Sequence, residues 1–168
     1  VANPLKLIDQ YGADALRMAL VFGTAAGNDQ SLSEDKIRGM RNFANKIWNA
    51  ARFVTLLTHK TKSGKEDSAF TQELKKITKK VTSYIEKYNF NAAAELLYES
   101  FWHWYCDWAI EKAKTGDITR SSLQQGLMTY LKLLHPFMPF VTEEIWGKLP
   151  KKNTDPLIIS PWPSPKIL

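Results

Sequence analysis

The sequence predicts an all-α fold, an up-and-down bundle of four or five amphipathic helices followed by a short extended C-terminal strap. Two observations carry this. Apolar residues recur at steps of three and four through long stretches, the spacing of a buried helical stripe. Capping and breaking residues stand between the stretches, so short turns join most of the helices. No internal repeat is visible, and 168 residues suffice for one domain with an appendage and a real core.

Asn3-Pro4 is a helix start, a capping side chain followed by proline at the first helical position. With no initiator Met before it, the sequence reads as an excised piece. Tyr11 to Leu20 reads as a short helix with Leu16 and Leu20 on one side, and Thr24 to Asp29 as a loop. Ser33 then caps a long helix over 34–58, with Glu34 and Asp35 at the positive end of its dipole. On a helical wheel Met40, Phe43, Ala44, Ile47, Ala50, Ala51, Val54 and Leu57 fall together. Arg38, Arg41, Asn42, Asn45, Asn49 and Arg52 fall opposite, with Lys46 and Phe53 on one edge and no acid near the middle.

Residues 59–68, rich in Lys, Ser, Thr and Gly, read as a mobile linker. A second long helix carries Phe70, Leu74, Ile77, Val81, Tyr84 and Tyr88 inward and Lys75, Lys76, Lys79 and Lys80 outward. Asn89 or Asn91 caps a third, about 92–114, whose run from Phe101 to Trp108 is apolar almost all round and must sit between other helices. Gly116 stops it, and a fourth runs from near Thr119 to His135. Pro136 and Pro139 force a tight corner at Phe137-Met138 before a final helix from Phe140 to Lys148. Beyond Pro150, Leu157-Ile158-Ile159 reads as an edge strand or extended strap, with Trp162 between prolines.

Composition narrows the function. Lys and Arg number 23 against 17 Asp and Glu, a net charge of +6 that leans toward a polyanionic partner. The single cysteine, Cys106, allows no intramolecular disulfide and favours a reducing, cytosolic setting. No apolar run approaches the roughly 18 residues of a membrane span, so no membrane role is expected. Catalytic templates fail one after another. Neither a phosphate-cradling glycine loop, a nucleophile elbow nor a zinc-protease motif is present. His59, His103 and His135 lack ligand spacing, and His103 reads as a satisfied core or boundary residue. Cys106 reads as inert packing, and adjacent Glu143 and Glu144 diverge by about 100° on a helix, too far to act as a paired acid and base. No catalytic residue, metal site or cofactor site is expected.

A binding surface fits better. On the helix over 34–58, Arg38, Arg41, Lys46 and Arg52 suit phosphates, Asn42, Asn45 and Asn49 suit base edges, and Phe53 suits stacking on an unpaired base. The plainer alternative is an ordinary solvated face with Phe53 at the core rim. A charged stripe opposite an apolar one is what any surface helix shows, so pattern alone leans to the plainer reading, and the lack of intrahelical acid partners for the arginines shifts it only modestly toward the first. The outward lysines of the next helix read as solvated, and the aromatics of 101–108 as core, with Trp102 able to emerge at an edge.

Some of these residues also form ordered motifs. Asn3-Pro4 with Tyr11-Gly12-Ala13-Asp14-Ala15-Leu16-Arg17 resembles the segment after the KMSKS loop in class I aminoacyl-tRNA synthetases of the valine, isoleucine and leucine group. The run from Arg41 to Phe53 closely resembles the valyl-tRNA synthetases within that group. Trp102-His103 with Cys106-Asp107-Trp108, Leu134 to Phe140 with Glu143 to Trp146, and Pro161-Trp162-Pro163 fit the same family in order, so the resemblance covers nearly the whole chain.

The resemblance implies a class I anticodon-binding domain over 33–148, a connecting segment over 1–32 and an extended tail over 149–168. It implies a ligase that joins valine to its tRNA with ATP and magnesium, in the cytoplasm. The HIGH and KMSKS motifs, and the catalytic and editing domains, lie outside this sequence, so ATP binding does too. Implied partners are the tRNA anticodon stem-loop and the catalytic domain of the same full-length chain. The implied anticodon contacts are Lys46, Asn49, Arg52 and Phe53, beside Arg41 and Asn45 of the same face. Two alternatives stand: the same domain of an isoleucyl or leucyl enzyme, and a helical scaffold for protein partners.

Overall fold

The computed structural model describes residues 3–23, 27, 32–57, 64–150 and 155–164, and no strand occurs among them. Helix α1 (Pro4–Tyr11) begins as the sequence predicts, with Asn3 Oδ1 accepting the Leu5 N–H at 3.0 Å. Gly12, at φ +89°, separates it from α2 (Ala13–Val21), so Tyr11 ends one helix instead of opening the next. The buried arc of α2 centres on Ala15, Met18 and Ala19; Leu16 lies at its edge and Leu20 outside it, half exposed. Most of the expected loop over 24–29 lies outside the described residues.

Helix α3 (Glu34–Leu56) is capped by Ser33 Oγ, which accepts the Lys36 N–H at 3.2 Å. Its apolar face buries Ile37, Met40, Phe43, Ile47, Ala50, Ala51 and Val54, in part against α2. Residues 58–63 lie outside the described residues, but the far end of the expected linker is firmly held. Helix α4 (Asp67–Glu86) already includes Asp67 and Ser68. The Asp67 carboxylate accepts the N–H of Gly64 at 3.1 Å and of Thr119 at 2.9 Å, while Glu66 N–H donates to Asp117 O at 2.8 Å. Gly64 is required here, because a Cβ would stand 2.5 Å from that same Asp117 oxygen. Tyr88, placed inward from the sequence, is exposed because α4 has ended and its own backbone sits at φ +57°.

Asn89 caps α5 (Phe90–Glu99), accepting the Ala92 N–H at 3.3 Å. The rod continues through a π-helical stretch, Ser100–Ala109, into α6 (Ile110–Lys114). It is less uniformly apolar than its sequence suggests: Phe101, Tyr105, Cys106 and Ala109 are buried, Trp102, Trp104 and Trp108 are half-buried, and His103 and Asp107 are exposed. Its rings knit the bundle. Phe101 meets Tyr130 at 5.1 Å between ring centres, Trp104 stacks on Phe70 at 5.0 Å, and Tyr105 Oη donates to Leu123 O at 2.6 Å.

Gly116, at φ +80°, ends α6, and Thr119 Oγ1 caps α7 (Arg120–Leu134) by accepting the Ser122 N–H at 3.2 Å. Helix α7 is central, packing on α3 and α4 and on α8 (Pro139–Lys148). At the corner between α7 and α8, the N–H groups of Phe137 and Met138 both donate to Leu134 O at 2.9 Å. The start of α8 has no side-chain cap of its own; Asp14 of α2 supplies one, accepting Phe140 N–H at 3.2 Å and Val141 N–H at 2.6 Å.

The strap carries no edge strand. Leu157–Ile159 form one 3₁₀ turn, because Glu143 accepts the N–H of Leu157 at 2.8 Å and of Ile158 at 3.3 Å, leaving Leu157 buried. Trp162 Nε1 then donates to Thr82 Oγ1 at 2.9 Å, and Lys132 Nζ to Pro161 O at 3.1 Å, lashing the strap across α4 and α7. One contiguous core draws residues from α1 through α8 and Leu157. No described helix is long and apolar enough to cross a membrane.

Candidate nucleic-acid interface

Helix α3 positions the interface because its apolar face is committed to the core. Arg41, Asn45, Asn49 and Arg52 are all exposed. At 100° and 1.5 Å per residue they form a stripe within roughly 40° of one line and about 16 Å long. No ion pair among the described residues engages Arg41 or Arg52. Arg38 is different: it pairs with Asp35 at 2.5 Å, one turn earlier, so the absence of intrahelical acid partners holds for Arg41 and Arg52 and fails for Arg38.

Lys46 and Phe53 lie on one edge of the stripe, half-buried. Lys46 Nζ sits 3.3 Å from Asp107 Oδ1 and 5.0 Å from the centre of the Trp102 ring, so the π-helical stretch fixes its direction. Trp102 does emerge at this edge. Phe53 carries Lys114 Nζ 5.4 Å over its ring, and Lys114 is itself paired with Glu111 at 2.6 Å. The opposite edge repeats the arrangement with other residues: Lys148 Nζ lies 4.6 Å over the ring of Trp48 and pairs with Glu144 at 2.5 Å. Between α3 and α8 this leaves a groove of about 350 Å³.

The remaining candidates are structural. Burial pushes the Cys106 thiol up to about 12, which leaves it protonated and unreactive. His103 is not a core residue; it stands in solvent between Glu99 at 3.5 Å and Asp107 at 3.3 Å. His135 Nδ1 lies 2.8 Å from Thr142 Oγ1, and burial lowers its pKa. Glu143 holds the strap while Glu144 pairs with Lys148, so the two carboxylates do diverge. His59 lies outside the described residues. Sequence reasoning overlooked Asp107, Lys114 and Lys148, which reach α3 from other helices with no local signal. Trp48 could have been found from the same wheel, on which it stands beside the polar stripe.

A stripe of arginine and amide groups on a helical bundle is suited to RNA, and the chain belongs to the family of anticodon-binding domains of tRNA ligases. A family model described as the anticodon-binding domain of tRNA ligase matches residues 67–168, from the start of α4 onward. The chain is homologous to valine–tRNA ligases. That of Dehalococcoides mccartyi (strain CBDB1) is 41% identical over 183 residues, covering 98% of this chain and 21% of that protein. That of Carboxydothermus hydrogenoformans is 40% identical over 177 residues, covering 96% and 20%. The chain thus spans about a fifth of the length of these relatives. Among solved structures, the ternary complex of Agrobacterium radiobacter K84 agnB2 LeuRS with tRNA and LeuAMS matches with a TM-score of 0.75 at 22% identity, over 98% of this chain and 21% of that one. That likeness establishes the fold.

Proposed function

We propose that this chain is the anticodon-recognition module of a valine–tRNA ligase, and that the full protein joins valine to its tRNA with ATP in the cytoplasm. Its partners are then the anticodon stem-loop and the catalytic domain of the same chain. Residues 1–32 form the connection to that domain, 33–148 the recognition domain and 149–168 its tail. The observation that carries the reading is the α3 stripe of Arg41, Asn45, Asn49 and Arg52, exposed and free of acid, edged by Phe53 and an oriented Lys46. Among the described residues no group of three His, Cys, Asp or Glu could hold a metal ion.

Asn45 and Asn49 offer paired donors and acceptors to the edges of splayed bases, Arg41 and Arg52 take phosphate or base, and Phe53 stacks. Stacking requires Lys114, which pairs with Glu111, to swing off the Phe53 ring. Lys46 stays poised by Asp107 and shares its hydrogens with an incoming acceptor. Phe53→Ala is expected to weaken binding of an RNA hairpin carrying a valine anticodon by about 1–3 kcal/mol, the usual worth of one base stacked on an aromatic ring. Fluorescence anisotropy with labelled hairpin measures it, and unchanged affinity refutes the assigned face. Hairpins with isoleucine or leucine anticodons serve as competitors; equal binding of all three overturns the valine reading.

A further inference from the structure

We infer that the groove between α3 and α8 is a second nucleobase site, which accepts an unpaired base of the same RNA on the side of α3 opposite Phe53. The inference rests on the reading above. The groove has an aromatic wall in Trp48, an apolar lining in Leu56, Ile145 and Leu149, and two cations at its rim, Arg52 and Lys148. Its volume of about 350 Å³ falls in the range of small-ligand sites and exceeds what a single base needs.

Three features point to a base with its phosphate in preference to an apolar side chain. Arg52 belongs both to the groove and to the exposed stripe, so a strand lying along Arg41, Asn45 and Asn49 reaches the groove without crossing other surface. Lys148 covers the Trp48 ring at 4.6 Å, as Lys114 covers Phe53 at 5.4 Å. Each aromatic thus faces a cation that a stacked base displaces and its phosphate then binds. Finally, Glu144, the acid that stands beside the rim among the described residues, is paired with Lys148 at 2.5 Å, so an incoming phosphate meets that pair and not a bare carboxylate. Leu56, 71% exposed at the rim, stays in water unless something covers it.

The test uses the chain with the valine-anticodon hairpin and a series of hairpins in which each loop nucleotide in turn is abasic. Leu56→Asp places a carboxylate at the mouth of the groove on an exposed position that folding does not need, with Leu56→Gln as the uncharged control; Trp48→Leu removes the aromatic wall. Leu56→Asp and Trp48→Leu are expected to weaken the hairpin about tenfold, and Leu56→Gln by much less. One abasic position should weaken wild type about tenfold yet add nothing in Leu56→Asp, the non-additivity of a shared contact. Anticodon-dependent binding that Leu56→Asp leaves unchanged overturns the groove while sparing the α3 face. Abasic losses that add fully to Leu56→Asp at every position also overturn it. Binding indifferent to both anticodon and Phe53 overturns the underlying reading and this inference with it.

Discussion

Asp14 offers the sharpest test of how the first two helices are joined to the bundle. Its carboxylate is buried, 7% exposed, and accepts the first two free N–H groups of α8, those of Phe140 and Val141. Pro139 has no N–H to offer and Met138 supplies no side-chain cap, so Asp14 does for α8 what an N-cap residue does for its own helix. Asp14→Ala strands both donors. Losing an N-cap costs about 0.5–2 kcal/mol, and each hydrogen bond to a charged acceptor is worth about 1.5–3 kcal/mol. Burial of the carboxylate offsets part of this and raises the Asp14 pKa above 3.8 against the pull of the two N–H groups. The net loss expected is about 2 kcal/mol, or roughly 4–8 °C in Tm for a domain of this size.

Urea unfolding at pH 7 measures it. Asp14→Asn keeps one acceptor oxygen and is expected to lose about half as much. Because the folded pKa is raised, the proton-linked part of the Asp14 contribution is fully present below 3.8 and lost as pH rises through the folded value, leaving the ionised cap that the pH 7 measurement reads. The gap between wild type and Asp14→Asn therefore widens in favour of wild type on acidification. An Asp14→Ala midpoint within about 0.5 kcal/mol of wild type at pH 7 would refute the cap.

Three further outcomes are expected. Gly126→Ala puts a Cβ 2.6 Å from Phe70 Cζ and 2.9 Å from Tyr105 Cε2, both on buried rings. The overpacking, about 1–3 kcal/mol, outweighs the roughly 1 kcal/mol helix gain of alanine, so denaturant melts should show net destabilisation; a stabilised variant contradicts the packing of α7. Burial of Asp67 alone would raise its pKa, but hydrogen bonds from Thr119, Ser122 and Gly64 together hold it below 3.8. Its contribution is present above that value and lost as pH falls through the folded pKa, so Asp67→Asn should be destabilised at pH 7 and approach wild type at about pH 3; a gap independent of pH speaks against the network. Cys106, with its thiol near 12, should resist iodoacetamide in the native protein at pH 8 and react once unfolded, as read by mass spectrometry; rapid native labelling contradicts its burial.

Helix starts were legible where the chemistry is local. Asn3, Ser33, Asn89 and Thr119 each cap within three residues of themselves, and the pattern of side chains points to them, leaving only Asn91 as an alternative to Asn89. The α3 stripe was legible for a related reason: a helix with one apolar face turns the opposite face outward wherever it packs. What escaped depends on neighbours distant in sequence. Asp14 caps a helix that begins 125 residues later at Pro139, and Asp107 orients Lys46 from another rod. Leu157-Ile158-Ile159 has a β-rich sequence but finds a carboxylate, not a strand, to take its N–H groups. Leu20 follows the spacing of Leu16, yet α2 turns its smaller residues inward, which pushes Leu20 off the core.

Anticodon reading by the α3 face is tested by hairpin binding as a function of both salt and anticodon. Log affinity is expected to fall linearly with log salt, because Arg41 and Arg52 release counterions from phosphate, and the preference for the valine anticodon is expected to persist at every salt concentration. Salt-independent affinity, or equal affinity for every anticodon, would contradict it.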